Sequence, residues 1–483
     1  MSLDLVISGG TAVLPTGTKP ADIGVQGETI VMIAPPGAID VEAARTIDAT
    51  GKLVLPGGVE PHAHIHEPMY RGWTQGEEVW LQSPEGATRA AAFGGTTTVV
   101  SFAFMAVHVV EQEFDAAAAV AHRRDVFAGR SHTDFAFHPV LTGTLSDATI
   151  ASVGDAIEDG TASMKLFTTD LTTGQAGIRI DNGSAFAVMQ QCAEHGALVM
   201  VHAEDDDLIK FMEAKLTREG RDQLPNAHLV HTPMGEELAV RAMACLAQEA
   251  GVALYVAHVG ARQPMDAIGE LRAAGRPVYG EALHNLLSFS TDDYAKPDGA
   301  KYHIGMGLKP PEHPPALWEG LADGRLSTIA TDEYTTSYAV KMAGTNIQTT
   351  PGGHVGIETR GIVTFSEGYV KGRITLERFV EVFSTNPAKL LGMYPQKGVL
   401  AAGSDADIVL WDQSARWTIT MDDLHHESDY SPWEGWEVTG RPLTTILRGK
   451  VIVEDGKLLG APGDGRWLKR TFDPGLAAGP ALA

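Results

Sequence analysis

The stretch Pro56-Gly57-Gly58-Val59-Glu60-Pro61-His62-Ala63-His64 carries the most information about the fold of this chain. An apolar run, Leu53–Gly57, leads into it, and two histidines separated by a single residue end it. On an extended strand, residues two apart point to the same face, so both imidazoles could bind one metal ion. A His-x-His pair alone is a weak signal for metal, and the interpretation therefore depends on ligands elsewhere in the chain.

Short apolar runs alternate with helix-like segments from this stretch onward. Strands that alternate with helices build a closed parallel barrel, and such barrels carry their chemistry at the carboxyl ends of the strands. The sequence therefore predicts an α/β fold with a (β/α)8 TIM barrel. The predicted strands are Leu53–Gly57, Thr98–Phe102, Phe135–Leu141, Ala162–Phe167, Leu198–Val201, Ala253–Ala257, Pro277–Gly280 and Ser327–Ala330. The predicted helices include Glu111–Ala128, Ser184–His195, Leu208–Glu219, Gly235–Ala250 and Leu376–Leu391.

Side chains that bind metals stand in or directly after several of these runs. One histidine at the end of a strand is more often structural, but two on neighbouring strands favour a ligand role. Asp332 could cap a helix instead, although its position after the last strand suits a metal-bound general base. Gathered at one end of a barrel, the set would make a two-metal hydrolytic site. The candidate ligands are His62, His64, Lys165, His202, His258 and Asp332.

Lys165 lies in an otherwise apolar strand, Ala162–Phe167. Burying an unpaired ammonium costs several kcal/mol, so the ordinary interpretation is a lysine that reaches solvent or a carboxylate. The alternative is that Lys165 reacts with carbon dioxide to form a carbamate, an anion that can bridge two cations. The residues around Lys165 do not decide between the two. The carbamate would explain a lysine where a two-metal site needs a shared negative ligand.

Composition excludes several classes of function. The 483 residues carry a net charge of −24, which argues against nucleic acid or an anionic membrane as partner. Cys192 and Cys245 are too few for a disulfide framework or a thiolate metal site. Neither a signal peptide nor an apolar run of membrane-spanning length is visible, so a cytoplasmic protein is expected.

Short strands with turn punctuation flank the barrel pattern on both sides. They include Thr29–Ile33 near the beginning and Val451–Glu454 near the end, where Asp455-Gly456 follows as a strong turn. We expect a small β-sandwich built from both chain ends and packed on the barrel. The predicted boundaries are 1–55 and 396–470 for the two sandwich parts, 56–395 for the barrel, and 471–483 for a tail that is flexible or used in a subunit contact.

Motifs over nearly the whole chain resemble the cyclic amidohydrolases, specifically the dihydropyrimidinase and D-hydantoinase branch. The resemblance begins at Pro56–His64 and includes the strand of Lys165. It continues through Val201-His202-Ala203-Glu204, Ala257-His258-Val259, Glu312-His313, Ala316-Leu317-Trp318, Gly356-Ile357-Glu358-Thr359-Arg360, Phe365-Ser366-Glu367-Gly368, Thr385-Asn386-Pro387-Ala388-Lys389 and Gly403-Ser404-Asp405-Ala406-Asp407-Ile408-Val409. Together these motifs are highly specific.

The resemblance implies a role for each ligand. His62, His64 and Asp332 would hold one divalent ion, His202 and His258 the other, and carboxylated Lys165 would bridge them. Zinc is the usual ion in the family, and its subunits usually form homotetramers. The expected reaction is hydrolysis of a C–N amide bond in a small cyclic amide, imide or ureide. A hydroxide between the two ions would attack, with Asp332 as general base and then general acid.

The substrate contacts depart from the family pattern, while the ligand set does not. His66 replaces the usual glutamine, and Asp170 stands where a tyrosine normally steadies the oxyanion. Glu60 replaces an aspartate before the histidine pair. The remaining differences are Gly305 for a serine, Gly352 for an asparagine, and Glu333 for a histidine.

These departures predict a larger and more acidic pocket and a substrate specificity that differs from the family norm. An anionic substrate such as dihydroorotate is disfavoured, because no arginine occupies the position of His66. His66 and Tyr334 are the candidates to replace the missing oxyanion donor. Two alternatives stay open: a genuine dihydropyrimidinase or hydantoinase, and a non-catalytic scaffold like some cytoskeletal-signalling relatives. The scaffold predicts decayed metal positions, which this sequence does not have.

Overall fold

The computed structural model describes residues 2–105, 115–170 and 177–482. Within these residues the strands form two nine-stranded sheets, one built from both chain ends and one that curls into a barrel. The first four residues of the predicted helix Glu111–Ala128 lie outside the described residues, and Ala116–Phe127 of the remainder is helical. None of the described helices has the length and apolar character that crossing a membrane requires.

The terminal sheet combines the first five strands of the chain with the last four. The early strands are β1 (Leu3–Leu14), β2 (Gly17–Gln26), β3 (Thr29–Ala34), β4 (Ala43–Asp48) and β5 (Leu53–Pro56). The late strands are β15 (Ile408–Thr418), β16 (Glu437–Leu447), β17 (Lys450–Glu454) and β18 (Lys457–Leu458). Strand β5 joins the two groups, because it pairs with β1 on one side and with β15 on the other.

The barrel sheet is parallel throughout, and its strand order follows the chain. It contains β6 (Gly58–His64), β7 (Thr96–Phe104), β8 (Asp134–Leu141), β9 (Ser163–Phe167), β10 (Leu198–His202), β11 (Leu254–Val256), β12 (Val278–Leu283), β13 (Leu326–Ala330) and β14 (Glu333–Tyr334). Only two residues separate β13 from β14, and β14 pairs with β6. The sheet therefore closes on itself, which confirms the predicted barrel.

One predicted strand belongs to the other sheet. Leu53–Gly57 was expected to be the first barrel strand, but its residues form β5 of the terminal sheet. The first barrel strand is β6, and it contains His62 and His64 instead of merely leading to them. At the crossing between the sheets, a Cβ on Gly57 would lie 2.1 Å from Thr97 Oγ1. At the Pro-Gly-Gly sequence the chain thus crosses from one sheet to the other. The apolar pattern alone suggests instead that a barrel strand ends there.

The helices surround the barrel and follow its strands. They are α1 (Pro84–Phe93), α2 (Ala116–Phe127), α3 (Asp147–Glu158), α4 (Asn182–His195), α5 (Asp206–Arg218), α6 (Ala227–Val230), α7 (Pro233–Ala250), α8 (Arg262–Ala273), α9 (His313–Asp323), α10 (Tyr338–Lys341), α11 (Thr359–Thr364), α12 (Leu376–Val380) and α13 (Asn386–Leu390). Side chains of the Asp, Ser and Thr types cap the first turn of most of the longer helices, as at Asp115 before α2. The predicted helix Leu376–Leu391 contains α12 and α13 with a π-helical turn, Glu381–Thr385, between them.

The end of the chain crosses the amino end of the barrel. Leu468, Phe472, Leu476 and Leu482 are buried in one apolar cluster with side chains from the barrel strands. The hydroxyl of Tyr279, near the start of β12, donates to the carbonyl oxygens of Leu476 and Gly479 at 2.9 and 3.0 Å. The described part of this segment, up to Leu482, therefore packs on the barrel, which does not favour the predicted flexibility. Apolar side chains spaced along a Gly- and Pro-rich segment anchor it without regular structure. Its use in a subunit contact stays a prediction.

Candidate metal centre

The predicted ligands lie at the carboxyl ends of the barrel strands. His62 and His64 end β6, Lys165 is central in β9, and His202 is the last residue of β10. His258 follows β11 by two residues, and Asp332 lies between β13 and β14. The four histidines and the lysine are buried, and Asp332 is half-buried.

The side chains of these residues converge. Oδ1 of Asp332 lies 3.0 Å from Nε2 of His62 and 3.3 Å from Nε2 of His64. The ring centres of His202 and His258 are 4.4 Å apart, and those of His62 and His258 are 5.6 Å apart. One ligand atom from each of His62, His258 and Asp332 lies within 4.8 Å of the others. The fold thus brings together residues that are up to 270 positions apart in sequence.

Lys165 is a fully buried amine without a hydrogen-bond partner among the described residues. Its Nζ lies 4.9 Å from the ring centre of Phe167 and 5.3 Å from that of Phe102. Burial lowers the pKa of Lys165 to about 8, against the opposing effect of the Asp332 and Glu281 carboxylates. A substantial fraction is then the neutral amine near neutral pH, which is the form that reacts with carbon dioxide.

Two of the ligands have an unusual backbone. His258 and Asp332 have φ values of +36° and +50°, in the left-handed region that few side chains other than glycine adopt. Such conformations cost on the order of 1–3 kcal/mol each and persist only where the surroundings enforce them. Here they turn the chain sharply after β11 and β13, so that both side chains face the centre.

Glu281 supports two ligands at once. Its carboxylate lies 2.7 Å from Nδ1 of His62 and accepts the backbone N–H of His258 at 2.9 Å. The hydroxyl of Tyr255 donates to its second oxygen at 2.7 Å. Glu281 was missed in the sequence, although a glutamate within the apolar strand β12 is a usable signal, because a buried carboxylate needs such partners.

Two other carboxylates contact the imidazoles of His64 and His202. Glu67 lies 2.9 Å from Nδ1 of His64, and Glu204 lies 2.8 Å from Nε2 of His202. The second oxygen of Glu204 lies 2.9 Å from Nδ1 of His231. Burial raises the pKa of Glu204, but the two neighbouring histidines outweigh it and keep the pKa well below its usual value. None of these supports was identified from the sequence, although Glu67 and Glu204 stand three and two residues after the histidines that they contact. Only the fold brings His231 to Glu204.

This donor set fits a pair of divalent metal ions. Histidines that bind metals generally donate their other ring nitrogen to a carboxylate, which fixes the tautomer and orients the ring. His62, His64 and His202 each have this arrangement, so one nitrogen of each ring is left for a metal. A carboxylate oxygen between two imidazoles and a buried amine without a partner complete a nitrogen and oxygen environment typical of zinc.

Two predicted substrate contacts are bound to the protein itself. The carboxylate of Asp170 accepts the backbone N–H groups of Gly177 and Arg179 at 2.9 and 3.0 Å, and Lys210 at 3.1 Å. The carboxylate of Glu333 is also buried and accepts hydrogen bonds from the protein at both oxygens. Burial raises the pKa of Glu333 to about 7. Its donors are Gln82, Thr335 and the backbone of Gly356 and Ile357. This geometry favours structural roles and gives no support to an acidic pocket.

The two glycines predicted to enlarge the pocket lie against each other. A Cβ on Gly352 would be 2.7 Å from Cα of Gly305, whereas a Cβ on Gly305 would meet no atom within 4 Å.

His66 also has a left-handed φ, +51°, and its ring centre lies 5.0 Å from that of Trp80. His66 and Trp80 line a cavity of about 180 Å³ whose wall also includes Phe102, the ring that stacks on His64. The ring centre of Tyr334 lies 5.6 Å from that of His64.

Comparisons with known proteins identify the family. The profile of the amidohydrolase family matches residues 53–452. A D-hydantoinase from Geobacillus stearothermophilus is 34% identical over 471 residues, which cover 96% of each chain. Among solved structures, a dihydropyrimidinase from Brevibacillus agri superposes with a TM-score of 0.89 at 33% identity, covering 97% of this chain and 99% of that one. The structure of an L-hydantoinase from Arthrobacter aurescens superposes with a TM-score of 0.85 at 27% identity, covering 97% of this chain and 100% of that one. The chain therefore belongs to the amidohydrolase family.

Proposed function

We propose that this protein hydrolyses a C–N amide bond in a cyclic amide, imide or ureide. The observation that carries the proposal is the convergence of Asp332 on His62 and His64, beside a buried Lys165 that has no partner among the described residues. The relatives named D-hydantoinase support a cyclic substrate.

The proposal includes two divalent metal ions, zinc by the family resemblance. His62, His64 and Asp332 would hold one, His202 and His258 the other, and Lys165 in its carbamate form would be shared between them. When bound, such ions lower the pKa of a water to about 7 and polarise the carbonyl to be attacked. Burial disfavours the charged ammonium of Lys165, and conversion to the anionic carbamate replaces it with a group that two cations stabilise.

Asp332 would move the proton. Burial raises the pKa of Asp332, but His62 and His64 hold it well below the usual value, so the carboxylate form is available as a base. Asp332 accepts a proton from the attacking water while the new C–O bond forms. It then returns this proton to the ring nitrogen as the C–N bond breaks, which opens the ring.

We further propose that the preferred substrate is bulkier than dihydrouracil. The support is the open space beside Gly305, where an added Cβ would meet no atom within 4 Å. Gly352 lies directly against Gly305, and a side chain at position 352 would collide with it. Because Asp170 and Glu333 are bound within the protein, size and not negative charge is the property in which this pocket would differ. A genuine dihydropyrimidinase or hydantoinase is the second candidate, and the names of the relatives favour it.

The test is ring opening by zinc-loaded protein, with dihydrouracil, hydantoin and bulkier cyclic amides and imides compared at equal concentration. Lys165→Ala is the matched blank, and the metal content of both proteins is measured. Faster turnover of the bulkier substrates supports the altered specificity, and fastest turnover of dihydrouracil or hydantoin supports the second candidate. Protein that contains two metals but opens none of these rings would contradict both.

Assembly and location complete the proposal. We propose a homotetramer on the basis of the family resemblance, and the cytoplasmic location expected from the sequence stays a prediction. Sedimentation equilibrium tests the assembly, because a chain of 51.4 kDa would give a particle close to four times that mass. A mass of one or two subunits at micromolar concentration would contradict it.

A further inference from the structure

The barrel closes at a seam with little backbone pairing. Strand β6 pairs with β7 on one side. On its other side, among the described residues, it pairs only with the short β14, at Ala63 and His64. Below that level β6 faces β13, and no ladder joins them in the described part of the chain. This seam lies between the strand that carries His62 and the strand that leads to Asp332.

Two buried side chains bridge the seam. The guanidinium of Arg360, in α11, donates to the carbonyl oxygens of Val59 in β6 and Ile329 in β13, at 3.0 and 2.9 Å. The Nε of Arg360 lies 3.0 Å from Oε2 of Glu60. Both side chains have no exposed surface. The side chains of Arg360 and Glu60 thus link β6 to β13 where no backbone ladder joins these strands in the described residues.

The second oxygen of Glu60 contacts the backbone beside two of the predicted ligands. It accepts the backbone N–H of His62 at 3.0 Å and that of Thr331, the residue before Asp332, at 3.2 Å. The hydroxyl of Thr331 in turn donates to the carbonyl of His62 at 3.3 Å. The backbones of two ligands of one proposed metal are therefore tied to the same carboxylate.

We propose that Glu60 and Arg360 are positioning residues that set the spacing between His62 and Asp332. The inference rests on the proposed metal site and adds residues that contact neither metal nor substrate. Removing one charge of a buried pair leaves the other uncompensated, so the pair is sensitive to substitution on either side. A change in the Glu60 carboxylate reaches the metal site through two backbone N–H groups and without any other side chain.

The experiment compares Glu60→Gln and Arg360→Lys with the wild type and with Asn386→Ala. Lysine keeps the positive charge but cannot bridge two strands and a carboxylate. Asn386 donates to Ser327 at the opposite end of the same seam, at 2.9 Å, and serves as the matched control. Zinc affinity is measured by competition with a chelator, and the thermal midpoint is measured for the metal-free and the zinc-loaded protein.

A positioning role predicts a zinc affinity about 10- to 100-fold weaker in both seam variants. The rise in midpoint on adding zinc should shrink with it, because binding to the folded state alone produces that rise. Asn386→Ala should lower both midpoints equally and keep the affinity. Where Glu60→Gln does not fold, Arg360→Lys gives the same test. Zinc affinity within about 3-fold of the wild type in the seam variants overturns the inference alone. A wild-type protein that binds no metal overturns the proposed function as well.

Discussion

The carboxyl and amino ends of the barrel differ in how their buried polar groups are paired. At the carboxyl end, Lys165 Nζ and His258 Nδ1 are buried without partners among the described residues, and His258 and Asp332 have a left-handed backbone. At the amino end, apolar side chains of the tail fill the opening, and Tyr279 bonds two tail carbonyls. The left-handed residues and these two unpaired nitrogens lie where a ligand would contact them, whereas apolar side chains of the tail cover the other end. Substitutions at the two ends should therefore separate activity from stability.

The largest expected effect is on catalysis at the carboxyl end. Asp332→Asn should lower the rate of ring opening by about 1,000-fold, since the carboxylate that moves the proton is lost. The fold should persist, because asparagine tolerates the left-handed backbone at this position. Initial rates with metal-analysed protein and circular dichroism give the two readouts. Asp323→Asn, at the end of α9, is the control, and a rate for Asp332→Asn near that of the wild type would contradict the assignment.

At the amino end, Phe472→Ala should act on stability instead. Truncating a buried phenylalanine destabilises by about 3–5 kcal/mol, through lost burial and the cavity left behind. The activity per folded, metal-loaded molecule should change by less than about 3-fold, because the tail lies at the opposite end from the ligands. Urea denaturation checks the first expectation, with Phe211→Ala as the control because Phe211 is 60% exposed. A loss of activity without a loss of stability would break the comparison.

A smaller effect is expected at Tyr334, beside His64. If its hydroxyl replaces the missing oxyanion donor, Tyr334→Phe should lower kcat by about 100-fold with little change in stability. Steady-state kinetics on the best ring substrate measure this effect. Tyr338→Phe, in α10, is the matched control. An unchanged kcat would leave His66 as the remaining candidate.

The smallest effect concerns the terminal sheet, away from both ends. Hydrogen bonding to Lys52 lowers the pKa of Asp412 from 3.8 to about 2. A carboxyl whose pKa is lower in the folded than in the unfolded chain stabilises the protein at any pH above the unfolded pKa. This stabilisation disappears as the pH falls from about 4 to about 2. Asp412→Asn should therefore be less stable than the wild type by under about 1 kcal/mol near pH 6, with the difference vanishing near pH 2. Urea denaturation at several pH values measures it, and a difference that grows on acidification would contradict the sign.

Prediction from the sequence succeeded where the signal was local. Lys165 lies in β9, His202 ends β10 and Asp332 follows β13, because an apolar run and the polar residues in or after it are neighbours in the chain. It failed at Leu53–Gly57, where an uninterrupted apolar pattern passes from one sheet to another. Glu281 was missed because only the folded barrel brings it near His62, and His231 because only the fold brings it to Glu204. Glu204 itself stands two residues after His202, so this support was within reach of the local sequence.

The sequence by itself determined the alternation of strands and helices and the identity of the side chains that converge at the carboxyl end of the barrel. Both are properties of short segments, and backbone periodicity and side-chain chemistry act within them. The tertiary structure alone decided which carboxylates face the metal centre and which, like Asp170 and Glu333, bind the protein itself. It also decided that a buried pair, Glu60 and Arg360, closes the barrel. These outcomes depend on contacts between distant segments, where a difference of about one ångström changes which atoms can meet.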